Sequence, residues 1–363
     1  MASIKNWMDD FLTRRAAALR QTFRVTIATA AAYAAYKALD LQQGYWAVFT
    51  VLIVIQASIG GTLGAAADRM IGTLAGALLG GFAAAFHSGT ALGQGTALLV
   101  VTALAVLGAA VYPQLRIAPV TAAIMLLSQP PGVPVENFVV DRVIEIALGG
   151  LIGVLATVFI LPARSHEIVV ERSVAVLRRI QSLLLSEAEA LTRGEALAPS
   201  SEHPALRQAL ANVEQAMKEA DRERASRLAD HAIPPSIPRT LWRIRNDLVL
   251  VGSALGTLFP ETIAATLSPA AATLLQSEAA LAARCITGLS SKTSVPRDNV
   301  EESYLAFTQA FHELRRTGAI RPLDFEEAGR VFGFAFALER LHRDFNDLAD
   351  RIDEIATGKP ERT

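Results

Sequence analysis

The first half of the chain has very little charge. Residues 1–165 carry 17 Asp, Glu, Lys and Arg side chains, and residues 166–363 carry 52. The stretches 70–115, 117–135 and 146–163 have none. No soluble core needs 46 consecutive uncharged residues, so a single water-soluble domain is excluded and a membrane part joined to a soluble part is implied. Cysteine is nearly absent: Cys285 is alone and has no intrachain partner, which suits a reducing, cytosolic side for the second half. There is no Gly-x4-Gly-Lys phosphate loop and so no sign of ATP-driven pumping. The six histidines are scattered, without a His-Glu-x-x-His or similar spacing, and no Gly-x-Ser-x-Gly elbow occurs. Neither an enzyme site nor a cofactor is expected. Net charge is −1 overall and −4 over 166–363 (24 basic minus 28 acidic), leaving no basic surface for nucleic acid.

What the first half does have is apolar length. Six segments, 22–41, 44–60, 69–87, 92–112, 117–130 and 138–161, cross or nearly cross a bilayer, for which about 20 residues are needed. The second and fifth are short. With six spans, Lys5, Arg14, Arg15, Arg20, Arg24, Arg69, Arg116 and Arg164 fall on one side, and only Lys37 and Arg142 on the other. Basic loops stay inside, so both termini and the whole second half are expected in the cytosol. The first segment lacks a small-residue cleavage site and is expected to be retained.

A shift of 73 residues aligns the third span with the sixth. Asp68-Arg69 meets Asp141-Arg142, Gly76 meets Gly149, Gly80 meets Gly153 and Phe86 meets Phe159; 8 of 19 positions are identical. The same shift places Gln56 on Gln129 and Thr29 on Thr102. A repeat of three spans enters the membrane upside down in its second copy, so an inverted repeat is expected, with a transport site near the midplane. It also sets Asp68-Arg69 and Asp141-Arg142 at opposite membrane faces. Gln56-Ala57-Ser58-Ile59-Gly60-Gly61 and Gln129-Pro130-Pro131-Gly132-Val133-Pro134 then occupy matching positions, each with helix breakers. Broken helix ends leave backbone groups free for a substrate or ion.

Gly44-Tyr45-Trp46-Ala47, then Arg69-x-x-Gly72-Thr73-x-x-Gly76, resembles the fusaric acid resistance (FUSC) and aromatic acid exporter superfamily. The sixth span, Arg142-x-x-Glu145-x-x-x-Gly149-x-x-x-Gly153 ending at Leu161-Pro162, is similar to that family's last membrane helix. Leu338-Glu339-Arg340-Leu341, in the last helix of the C-terminal half, is also similar. The resemblance implies export of organic or aromatic acids across the bacterial inner membrane. Larger members hold two such units in one chain, so a single unit implies a homodimer. Plant aluminium-activated malate channels are distantly similar.

Ionisable residues inside a membrane are costly and are candidates by default. Arg142 and Glu145, three apart on one helix face, suit either proton exchange or a static ion pair. Arg69 and Thr73 share a face; Arg suits a carboxylate through its fork and equally suits an interfacial anchor. Lys37 is a snorkelling anchor or a pore residue. Tyr45 and Trp46 form an aromatic belt or the wall of an aromatic site. Gln56 and Gln129 are interhelical hydrogen-bonders or pore lining. A small organic acid, the lipid bilayer and a second copy of the chain are the expected partners.

Residues 166–363 carry helical periodicity, with loops near 194–204, 231–238, 259–268 and 290–298. Val170, Val174, Leu177, Leu184 and Leu191 form one stripe. Ser268-Pro269 has the pattern of an N-cap and first-turn proline. Asp298 with Glu301, and Asp324 with Glu327, have capping-box spacing. A seam from Val331 to Ile355 fits bundle packing or a dimer contact. Arg222-Glu223-Arg224-Ala225-Ser226-Arg227 has the composition of a solvated face. The expected fold is all-α: a six-span helical membrane domain of two inverted three-helix repeats over 1–165, then a cytosolic helical bundle over 166–363. The expected function is secondary export of organic acid anions, with a dimeric anion channel or a membrane-anchored interaction protein as alternatives.

Overall fold

The computed structural model describes residues 2–86, 90–128, 133–198, 202–226, 228, 234 and 236–357. Among them the chain is helical throughout, with no strand. The first part contains α1 (Ala2–Ala38), α2 (Tyr45–Val54), α3 (Ile59–Phe86), α4 (Ala91–Val111), a 3-10 turn (Pro113–Leu115), α5 (Ala118–Leu127) and α6 (Val135–Phe159). The second contains α7 (Ser165–Arg193), α8 (Glu202–Ala225), α9 (Ser236–Ala254), α10 (Glu261–Ser291), α11 (Val300–Thr317) and α12 (Phe325–Thr357). Two compact units result: Met1–Ser165 with Glu219–Asp230, and His166–Lys218 with His231–Thr363. The end of α8 thus belongs with the first unit.

In the first unit, α3, α4 and α6 are long and apolar enough to cross a membrane. Helices α2 and α5 have ten residues each. At about 1.5 Å per residue they reach roughly half of a 30 Å hydrocarbon core. Helix α1 is long, but Arg24 and Lys37 interrupt its apolar part.

Most of the packing is matched under exchange of the first three helices with the second three, the α2–α3 contact excepted. Helix α3 packs on α5 as α6 packs on α2; α1 meets α2 and α6 as α4 meets α5 and α3; α3 and α6 meet each other. Glycines set the distances. A Cβ on Gly76 would lie 2.5 Å from the Ala118 carbonyl oxygen and 2.7 Å from Thr121 Cβ. On Gly149 it would overlap the Ala47 carbonyl and lie 2.7 Å from Thr50 Cβ. On Gly80 it would lie 2.8 Å from Met125 Cβ, and on Gly153 2.7 Å from Val54. Only glycine permits such backbone approach.

These contacts match α3 to α6 at an offset of 73 but α2 to α5 at 71. Two residues separate the offsets because the α5–α6 connection is longer than the four residues Ile55–Ser58 between α2 and α3. At 71, Gln56 corresponds to Leu127; Gln129 lies outside the described residues. At the break, Ile55 is extended (φ −70°, ψ 113°). Ser58 Oγ then accepts the Gly61 N–H at 2.9 Å, and Thr62 Oγ1 accepts the Gln56 N–H at 2.9 Å.

The second unit is a helical assembly in which α12 packs on α9, α10 and α11. Its seam, Val331, Phe334, Leu338, Leu341, Phe345, Leu348 and Ile352, is buried within one chain. Two sequence expectations fail here. Pro269 sits inside α10, which starts at Glu261 after Pro260. Continuing the helix buries Ile263 and Leu267 completely, which outweighs the one hydrogen bond a proline removes. Asp298 does not cap α11, whose N-cap is Asn299 at φ 64° without a side-chain bond. Asp324 does cap α12: its Oδ1 accepts the Glu327 N–H at 2.7 Å.

Candidate functional site

Helices α3 and α6 run antiparallel, because Gly81 approaches Val139 and Val135 while Gly150 approaches Ala66. Those pairings bring Thr73 level with Glu145. Arg69 and Arg142 lie on either side of that level, about 10 Å apart along the helices at ~1.5 Å per residue. Both arginines lie a few turns inside their helices.

Arg142 is the centre of the site and is 2 % exposed. Its Nη2 donates to Gln43 Oε1 at 2.7 Å, and its Nη1 lies 3.8 Å from Glu145 Oε2. Its guanidinium carbon stands 4.3 Å from the Trp46 ring centroid and 5.4 Å from that of Phe138, a cation–π arrangement. Gln42, Gln43, Val133, Phe138, Asp141, Arg142 and Glu145 surround a cavity of about 10 Å³, room for about one water.

On α2, α3 and α6 several buried polar groups lack partners. Trp46 Nε1, Thr50 Oγ1, Arg69 Nε, Thr73 Oγ1, Arg142 Nε and Nη1, and Glu145 Oε2 make no hydrogen bond. Arg69, Thr73, Thr50 and Glu145 are all 5 % exposed or less. Each unmade buried hydrogen bond costs on the order of 1–3 kcal/mol, and most of these atoms are donors. The set suits a group rich in acceptor oxygens.

The structure brings Arg142, Glu145 and Trp46 together where α2 packs on α6, and buries Arg69 and Thr73 on α3, which also packs on α6. Tyr45 is exposed beside them, its ring 5.6 Å from Trp46. Lys37 is exposed and stands 5.3 Å over Tyr36. Gln56 is exposed, and its amide donates to the Ile53 carbonyl at 3.2 Å. Neither Lys37 nor Gln56 joins the group. Gln43, Thr50 and Phe138 join it without having been singled out. The signal for Gln43 and Thr50 was the offset of 71, which maps them onto Gln114 and Thr121.

Residues 29–156 match the family described as fusaric acid resistance protein-like. This stretch of the chain is similar to that family. It covers α2 to α5 entirely and nearly all of α6, hence every member of the arginine cluster. No curated protein matches the chain. The fusaric acid resistance protein-like family is a transporter family rather than an enzymatic one, and it points to transport or efflux across a membrane. Its boundaries leave Arg24 outside. That residue is 1 % exposed and donates to the Ile160 carbonyl at 3.0 Å and to the Leu161 carbonyl. Counted from sequence only as an orientation charge, it closes the C-terminal end of α6.

Proposed function

We propose that the chain is a secondary transporter of the bacterial inner membrane that exports organic acid anions, aromatic ones included. The observation that carries this reading is the buried Arg142 held between Gln43 and the Trp46 ring, among donors that lack partners. A guanidinium fork beside aromatic faces has the chemistry to bind an aromatic carboxylate. Arg69 and Thr73 add donors from α3. Glu145, within reach of Arg142, supplies a group whose proton can leave or return as the substrate's charge arrives.

The largely exchange-matched packing supports six spans built as two inverted three-helix repeats, with the short α2 and α5 as the broken elements. Residues 166–218 and 231–363 form the cytosolic helical domain, and the placement of Lys and Arg supports cytoplasmic termini.

Purified protein in vesicles loaded with benzoate tests the reading. Saturable, electroneutral efflux that responds to a proton gradient is expected. A large voltage-dependent current would establish a channel instead. Flux equal to empty vesicles would overturn transport and leave an anchored interaction protein.

A further inference from the structure

We propose that the last turns of α8 are an autoinhibitory latch on the α2–α3 junction, with Glu219 and Glu223 as its contacts. The inference rests on the transport reading above. Helix α8 is continuous over Glu202–Ala225, yet Glu219 onward belongs to the same compact unit as α1–α6. The expectation of a solvated face for residues 222–227 does not hold for Glu223, which is 1 % exposed.

The contacts are specific. Ser58 Oγ donates to Glu219 Oε2 at 2.7 Å while accepting the Gly61 N–H at the start of α3. The Ser165 N–H donates to Glu223 Oε2 at 2.8 Å, and Ser165 Oγ accepts the Gly60 N–H at 3.3 Å. The Ile59 N–H donates to the Ala163 carbonyl at 3.3 Å. Gly60 lies directly against the Glu219 backbone carbonyl and leaves no room for a Cβ, and Gly64 lies against the Arg222 guanidinium. Two carboxylates from α8 thereby tie the first turn of α3 to the segment that follows α6. A carboxylate at a helix N-terminus is favoured by the helix dipole, so the contact is stable without being covalent or hydrophobic.

Its position gives it leverage. Helix α2 seats against α6 through Val54 on Gly153 at one end and Ala47 and Thr50 on Gly149 further along. Trp46, which covers Arg142, is on the same short helix. A substrate reaching Arg142 from the α3 N-terminal end requires α2 to lift from α6. The junction that must move is the one held by Ser58 and Glu219.

Benzoate efflux from vesicles containing the full-length protein tests the latch. Glu219→Gln and Ser58→Ala should each raise the initial rate by about tenfold, the effect of one hydrogen bond to a charged group on an opening equilibrium. Flux at or below wild type in both overturns the proposal. A Ser58→Cys/Glu219→Cys chain should run fast, then stop when a short thiol-reactive linker joins the two sites; unchanged flux after linking also overturns it. Cys285 is buried with its thiol pushed up to about 12, so it stays unreacted. Should wild type and all variants carry no benzoate, the transport reading fails by itself. Amide exchange at Gly60 and Gly61 then decides the latch: about tenfold faster exchange in Glu219→Gln supports it, and equal exchange overturns it.

Discussion

The Arg142 guanidinium lies 4.3 Å above the Trp46 ring, with its Nη2 committed to Gln43 and its Nη1 and Nε unbonded. One edge of the fork is thus held by the protein and the other is free to donate. Lysine keeps the charge but presents no planar fork and stacks less well. Arg142→Lys should therefore lower benzoate efflux by about tenfold, and Arg142→Ala by about a hundredfold, as loss of a bidentate charged contact does. Trp46→Leu should raise the half-saturating concentration more than it lowers the maximal rate, because it removes a binding face. Wild-type flux in Arg142→Lys would show that only charge matters there.

The glycine rows make a second prediction, with its own internal control. Alanine favours a helix over glycine by about 1 kcal/mol. At Gly149 that gain meets the Ala47 carbonyl, and at Gly76 the Ala118 carbonyl, both backbone atoms that cannot rotate aside. The clash should win, costing about 1–3 kcal/mol as overpacking does. At Gly95 a Cβ meets nothing within 4 Å, so only the gain remains. Folded yield and melting in detergent should drop for Gly149→Ala and Gly76→Ala alike, and hold or rise for Gly95→Ala. Equal effects at Gly149 and Gly95 would contradict the packing described.

The sequence carried one of the two packing offsets and not the other. Identities at Asp-Arg and in the glycine rows gave the offset of 73 for α3 and α6, because those helices pack through glycines that cannot vary freely. Helices α2 and α5 offer their partners whatever lies on the facing side, such as Val54 or Met125, so their offset of 71 left little trace beyond Gln43 with Gln114 and Thr50 with Thr121. Arg24 was visible as a charge; that it turns inward depends on α6 ending beside it. Ser268-Pro269 carried a true local preference, which the burial of Ile263 and Leu267 overrides. The seam of α12 needed no tertiary knowledge, since its periodicity alone names the buried face.

In the second unit, His342 Nδ1 lies 2.8 Å from the fully buried Glu278, with Glu301, Asn346 and the stacked Tyr304 ring around it. Burial pushes the Glu278 carboxyl up to about 7, against the pull of His342 and Arg284. His342 is raised above its usual value, the two carboxylates outweighing its burial. Burial likewise pushes Asp247 up to about 6 and raises Glu187 and Asp344. In each case the folded state binds protons that the unfolded state has released. Stability is then fully present below the unfolded pKa and is lost as pH rises through the folded one. Melting of the second unit, followed by helical circular dichroism, should fall by several degrees between pH 5 and about 8, since ~1 kcal/mol corresponds to 2–4 °C at this size. Glu278→Gln should flatten the slope. A melting temperature that climbs with pH would refute the protonated cluster.

Arg24 should matter for folding and not for transport. Its Nε and Nη2 serve the carbonyls of Ile160 and Leu161, the end of α6, while Nη1 donates to Gln21 Oε1 at 3.2 Å. Gln21 in turn reaches the Ile55 carbonyl at 3.4 Å, where α2 ends. One buried cation thus sets α1 against the C-terminal ends of two helices, where their dipoles are negative. Arg24→Met keeps most of the stem's packing but leaves both α6 carbonyls without their donor. Loss of a buried, charge-assisted pair of bonds costs about 2–4 kcal/mol, so folded yield should fall sharply. The benzoate rate per folded molecule should stay as in wild type, because Arg24 belongs to the helix ends and not to the Arg142 cluster. If yield is normal while the rate collapses, Arg24 lies on the pathway, and the division between the helix-end clamp and the binding cluster is wrong.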